Sequence, residues 1–262
     1  MAALHLSAPK AWTELSQGQL AALLDTIVNV NARNADRRFA SADDFAAQSA
    51  AQVAVRCLFV WNNVKVVTPY ADGWLVDVDG RECVVAGPDV AAAADMLRWV
   101  AELPDGPVRL DLIAGAKAVD AELDDSFSFD DWLTCETLWQ AYQSTQDAEL
   151  LRRMAEVLYR KQGISLTPAE SLSVFYWWAG LKALCNRLYP HFFHPAEGAG
   201  GNSQDTDRDM LRRNIDAQIR ALTKGDITKE ERVLAMPAHR ALTELDALAR
   251  EYDELNRKYP AK

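Results

Sequence analysis

Val174-Phe175-Tyr176-Trp177-Trp178-Ala179-Gly180-Leu181 is the longest apolar run of the chain, and it follows a helix start written in four residues, Thr167-Pro168-Ala169-Glu170. Thr stands at N-cap, Pro at the first helical position and Glu at N3, an arrangement that satisfies free backbone N–H groups and pre-sets the first φ angle. The run belongs to a longer stretch, Phe127 to Phe193, that holds four of the eight Trp residues. Helical periodicity predicts segments over 130–143, 147–162 and 167–189. This stretch reads as a scaffold. A helix that is apolar on all sides is core first, yet Trp177 and Trp178 also carry the residue type enriched in binding interfaces.

Outward from this centre the pattern changes. Upstream, Ser16 before Leu20, Leu23, Leu24, Ile27 and Val28 predicts a helix, which Asn29, Asn31 and Asn34 should weaken. Ser41 with Asp44 predicts a second helix, running to Trp61. Then the period drops to two: 64–68, 74–78 and 82–85 are short β-branched runs, and Asp79-Gly80 is a hairpin signal. A helix over 89–102 and a strand over 108–113 are expected to follow. Downstream, residues 194–208 are rich in Gly and read as a linker.

Beyond it, Met210, Leu211, Ile215, Ile219 and Leu222 form one helical stripe, and Thr228 with Glu231 reads as a further capping box. The last helix is expected over 238–259, where Ala238, Ala241, Leu245, Leu248, Tyr252, Leu255 and Tyr259 recur at spacings of three and four. Asp246–Arg250, Asp253–Arg257 and Glu254–Lys258 are acid-before-base pairs at i,i+4. The expected class is mainly α (α+β), a helical body with a small antiparallel hairpin-bearing insert and a linked C-terminal helical tail. The expected divisions are 1–63, 64–119, 120–195, a linker at 196–209, and 210–262.

The chain of 262 residues carries a formal net charge of −10. That balance works against nucleic-acid binding, whose affinity rests on neutralising phosphates. From Gln204 onward acidic and basic residues are equal in number, and Arg212, Arg213 and Arg220 give the tail a modest basic face on which a nucleic-acid-binding regulator would have to rely. Cys57, Cys83, Cys135 and Cys185 are far apart, with no CxxC pair, so buried free thiols are expected. Neither a secretory signal nor a membrane span is read, since the apolar run ends at Lys182. The expected location is the cytoplasm, which the protein would leave only inside a larger particle.

Chemistry-bearing constellations are sparse. Cys185, His191 and His194 have metal-ligand residue types, and His-x-x-His can bind from one helical turn, so a metal-dependent enzyme is the alternative reading. Pro190 and Pro195 bracket those histidines, and a helix end is the plainer account. Asp77, Asp79, Asp124 and Asp125 supply carboxylates at turn positions, where Asp is favoured for backbone reasons alone. No Gly-x-Ser-x-Gly elbow and no P-loop is present. No cofactor is expected, and no catalytic residue is assigned.

Gln218-Ile219-Arg220-Ala221-Leu222-Thr223-Lys224-Gly225-Asp226-Ile227-Thr228-Lys229-Glu230, followed by Arg240-Ala241-Leu242-Thr243-Glu244-Leu245-Asp246, resembles uncharacterised proteins encoded in the tail-gene regions of tailed prophages of gut bacteria. Trp12-Thr13-Glu14-Leu15-Ser16 with Gln19-Leu20, and Leu150-Leu151 with Leu158-Tyr159-Arg160, are similar to other parts of the same group. Proteins so placed are often tail-assembly chaperones or minor tail components. The resemblance thus implies a non-enzymatic interaction protein whose partner is another protein, such as a tape-measure or other tail protein. This chain is longer than a typical chaperone of that kind and carries a β-containing insert. The residues assigned to partner binding are Trp177, Trp178, Leu245, Leu248, Tyr252 and Leu255, and a homo-oligomer through the C-terminal helix is the second partner expectation.

Overall fold

The computed structural model describes residues 6–120, 122–193 and 207–259. In chain order the elements are α1 (Gln17–Asn34), α2 (Ala42–Trp61), β1 (Val64–Tyr70), β2 (Gly73–Val78), β3 (Arg81–Ala86), α3 (Gly87–Asp95), β4 (Leu112–Ile113), β5 (Ala116–Lys117), α4 (Phe129–Thr145), α5 (Ala148–Leu158), α6 (Pro168–Leu188), α7 (Pro190–Phe193), α8 (Asp207–Thr223), α9 (Glu230–Leu234) and α10 (Ala238–Lys258). The fold is mainly helical, with one three-stranded and one two-stranded antiparallel sheet.

The chain divides into two compact units. One comprises Met1–Pro104, Val108–Asp111 and Leu166–Tyr176; the other comprises Asp105–Pro107, Leu112–Ser165 and Trp177–Lys262. Helix α6 therefore contributes its first turns to one unit and its remainder to the other. The hairpin-bearing segment lies in the same unit as the N-terminal helices. Of the expected linker, 194–206 falls outside the described residues, and 207–209 already belong to α8.

In the first unit, α1 starts on a full capping box: Gln19 N–H donates to the Ser16 hydroxyl, and Ser16 N–H donates to the Gln19 side chain. The Asn residues do not end the helix early. Asn29 and Asn31 point to solvent, while Asn34 is buried and donates to Ser49 Oγ of α2 at 3.0 Å. Leu20, Leu23, Leu24, Val30, Val53, Cys57 and Leu58 form the shared core of α1 and α2, closed by Leu97, Val100 and Ala169. A second cluster, Phe59, Val64, Val76 and Val90, joins α2 and α3 to the inner face of the sheet.

That sheet has the order β1-β2-β3, with Val76 facing Val66 and Cys83. Pro69 is tolerated because β1 is an edge strand, and the register shifts between Val66 and Thr68 beside it. Gly73 is obligatory in this sheet, since a Cβ there would lie 2.0 Å from the Val85 carbonyl oxygen. Two expectations are corrected here. The helix foreseen over 89–102 stops at Asp95 and resumes as a single 3₁₀ turn, Arg98–Ala101, which drops Leu97 and Val100 into the core. The strand foreseen over 108–113 is reduced to Leu112–Ile113, because Leu110 N–H is taken by the Ser173 hydroxyl and Asp111 N–H by Gln17.

In the second unit, α4 and α5 pack as an antiparallel pair joined at Gln146, which takes a left-handed conformation and donates its N–H to the Tyr142 carbonyl. Ser128 and Asp131 form a capping box at the start of α4, and Arg160 clamps the same carboxylate with two hydrogen bonds of 2.9 Å. The entry to α10 is tied to the entry of α4: Phe129 N–H donates to Met236 O and Ala238 N–H to Phe127 O, each at 2.8 Å. Thr228 does not open a capping box. Its hydroxyl and N–H both donate to Asp226, which caps the short 3₁₀ turn Ile227–Lys229.

Candidate partner-binding surface

Trp177 and Trp178 are wholly buried, so their assignment to a partner surface is corrected: they are core. The Trp177 ring meets Tyr159 edge-on with centroids 5.8 Å apart, and Trp178 lies against Trp132 at 5.1 Å. Two large aromatics in succession point about 100° apart on a helix, so both are covered only where the helix has neighbours on two sides. The apolar character of α6 all round its axis is the sequence trace of that burial.

Helix α10 behaves differently along its length. Ala238, Ala241, Leu242 and Leu245 are buried, Leu248 is half-buried, and the same stripe then emerges as Tyr252, Leu255 and Tyr259, which are 63%, 58% and 68% exposed. The seam is one stripe on one helix, covered by its own chain for the first half and uncovered for the second. Leu245, also assigned to partner binding, is corrected to core, being 4% exposed; Leu248, Tyr252 and Leu255 follow it on the same face as the stripe emerges, and Tyr259 extends it.

The flank of α10 is also reorganised. None of the three expected i,i+4 pairs forms. Instead the Asp246 carboxylate accepts hydrogen bonds from the backbone N–H groups of His191 (2.8 Å) and Phe192 (3.0 Å), capping the start of α7. His191 Nδ1 lies 3.7 Å from Asp253 Oδ2, about two turns further along α10. This helix-to-helix anchoring uses free N–H groups at a helix start, a signal that sequence spacing within α10 does not carry.

The metal-type residues are dispersed. Cys185 is buried on α6, His191 is engaged by α10, and His194 lies outside the described residues. Among the described residues no group of three His, Cys, Asp or Glu side chains is close enough to hold a metal ion. The carboxylates are used locally: Asp77 accepts from Gly80 N–H in the β2–β3 turn, Asp79 accepts from Asn63, and Asp124 accepts from both Ser126 groups. Arg212 and Arg220 are exposed on α8.

A cleft of about 330 Å³ in the second unit was not foreseen from the sequence. Leu181, Leu184, Cys185 and Leu242 line it, with Tyr189, His239 and the acidic residues 120, 122, 124 and 125. Cys185, His239 and Asp125 are nucleophile, base and acid by type, and His239 Nε2 lies 3.5 Å from Asp125 Oδ1. Burial, however, pushes the Cys185 thiol up to about 12, where the attacking thiolate is scarce. An activated cysteine shows the opposite shift. Burial likewise raises Cys57 to about 12 and raises Cys135. All four cysteines are free, and three of them are buried. Among the described residues no helix is long and apolar enough to cross a membrane.

In comparison with known proteins, no family model matches the chain, and no curated protein and no solved structure is similar to it.

Proposed function

We propose that this chain is a non-enzymatic interaction protein that holds a helical segment of another protein against the last turns of α10, in the setting of phage tail assembly. The observation that carries the reading is the continuity of the α10 stripe, whose packed first half passes directly into uncovered Tyr252, Leu255 and Tyr259. Large aromatic and aliphatic side chains at helical spacing are the anchors of helix-on-helix recognition. The packed half of α10, fixed at Phe127 and Asp246, supplies the rigid base from which the free half projects. The resemblance to prophage tail-region proteins supplies the setting. A tape-measure segment or another tail protein is the partner it suggests, met in the bacterial cytoplasm or in the finished particle.

The experiment is co-expression with the products of neighbouring tail genes, followed by size-exclusion chromatography with light scattering. Co-elution with one neighbour, abolished by Leu255→Asp with helicity unchanged, is the expected result. Leu248→Asp should act in the same direction, though its half-buried site also contributes to packing. Capture that survives both substitutions would overturn the assignment of the face.

A further inference from the structure

We infer that, when no other helix occupies it, the free face of α10 is covered by the same face of a second copy of this chain, running antiparallel, with the two-fold axis passing between Asp253 and Glu254. The inference rests on the reading of α10 as a helix-binding face and names the occupant it takes in the free protein.

Leu245, Leu248, Tyr252, Leu255 and Tyr259 follow the alternating three-and-four spacing of a heptad seam. Two such seams placed antiparallel about that axis put Leu248 opposite Tyr259 of the second copy and Tyr252 opposite its Leu255. Every layer then pairs one ring with one branched aliphatic side chain, and each of these side chains is half-buried or exposed in the single chain. A parallel pair would stack Tyr on Tyr and Leu on Leu, leaving layers of alternately large and small volume.

Charge selects the same direction. Between Glu244 and Glu254 the helix carries Glu244, Asp246, Glu251, Asp253 and Glu254 against Arg250, whereas Arg257 and Lys258 follow. A parallel pair sets acidic turns beside acidic turns; about the proposed antiparallel axis Glu251, an acidic residue next to the seam, comes beside the basic end of the second copy, Asp253 and Glu254 lie on the faces turned away from the seam, and the two helix dipoles are opposed. Glu251 and Lys258 each stand one residue before a Tyr of the seam, so they flank it on the same side. About the proposed axis Glu251 faces Lys258 of the second copy, and the pair occurs twice. Both residues are exposed, neither forms an ion pair within the described residues, and Lys258 lies over the Tyr259 ring at 5.6 Å, beside the seam.

The test is sedimentation equilibrium of the full chain over a concentration series at low salt. A reversible dimer is expected. Lys258→Glu alone and Glu251→Lys alone should each weaken it roughly tenfold, because two attractive pairs become two repulsive ones, and the double exchange should restore it. Cysteine cross-linking fixes the direction. In a Cys83→Ser background, Leu248→Cys mixed with Tyr259→Cys should form a disulfide dimer, while neither variant does so alone. A wild-type chain that stays monomeric, a double exchange that fails to restore pairing, or Leu248→Cys cross-linking to itself would each overturn the inference. A monomer that still captures a tail-gene product through Leu255 overturns self-pairing and leaves the proposed function standing; a monomer that captures nothing overturns both.

Discussion

Asp131 shows how one side chain serves two ends at once. Its carboxylate accepts from Ser128 N–H (3.0 Å) and hydroxyl (2.7 Å) at the start of α4 and from both Arg160 terminal nitrogens. Burial acts to raise its pKa, but the hydrogen bonds from Arg160 and Ser128 outweigh it and hold the carboxyl below the usual carboxylate range. A depressed folded-state pKa means stability that is complete above the unfolded value of about 4 and is lost as pH falls through the folded one. Asp131→Asn should therefore cost about 1–2 kcal/mol in urea denaturation at pH 7. The gap between variant and wild type should narrow below about pH 4; a gap independent of pH would show that the charge is not what stabilises. Thiol chemistry gives a second check at this scale. Cys57, Cys135 and Cys185 are buried, and Cys83 on the sheet is half-exposed. Alkylation of the native protein should label Cys83 and spare the other three until denaturant is added, as read by peptide mass spectrometry.

At the scale of the element, what could be read in advance was whatever local chemistry decides. Ser16, Ser41 and Thr167 open α1, α2 and α6 as their side chains require, and the three short strands follow from β-branched runs around Asp79-Gly80. What could not be read was decided by distant partners. Asn34 stays helical because Ser49 accepts its amide hydrogen, the 108–113 segment loses its strand to Ser173 and Gln17, and Asp246 leaves Arg250 for the N–H groups of α7. On the candidate face the spacing of Leu248, Tyr252 and Leu255 was legible, but periodicity cannot say where along a stripe the cover ends. Gly180 is a case of the same kind. Within the apolar run it looks like a helix-weakening residue, yet a Cβ there would sit 2.0 Å from the Gly106 carbonyl oxygen. Gly180→Ala should cost about 1–3 kcal/mol despite its better helix propensity. Gly18→Ala, with nothing within 4 Å of the added carbon, should be neutral or stabilising by up to about 1 kcal/mol. Thermal melts of the two variants separate the accounts, since propensity alone would stabilise both.

For the whole molecule, the sign and placement of charge set what it can approach. A net charge of −10 on 262 residues repels polyanions at long range, and the C-terminal part from Gln204 onward is where acidic and basic residues balance. Arg212 and Arg220 are exposed there, but Asp216 stands on the same helix face region and acidic residues match basic ones from Gln204 onward. Each phosphate neutralised would add to a steep salt dependence, so any affinity for duplex DNA must show itself most plainly at low ionic strength. The expected outcome in an electrophoretic titration at low salt is no retardation of duplex DNA at protein concentrations where self-pairing through α10 is already complete. Retardation abolished by Arg212→Ala with Arg220→Ala would place a nucleic-acid contact on α8 and overturn the purely protein-directed reading. The same titration separates charge from shape: α10 presents Leu255 and Tyr259 beside Arg257 and Lys258, and an apolar seam flanked by mixed charge is suited to another helix, whereas a phosphate backbone offers nothing to bury those side chains against.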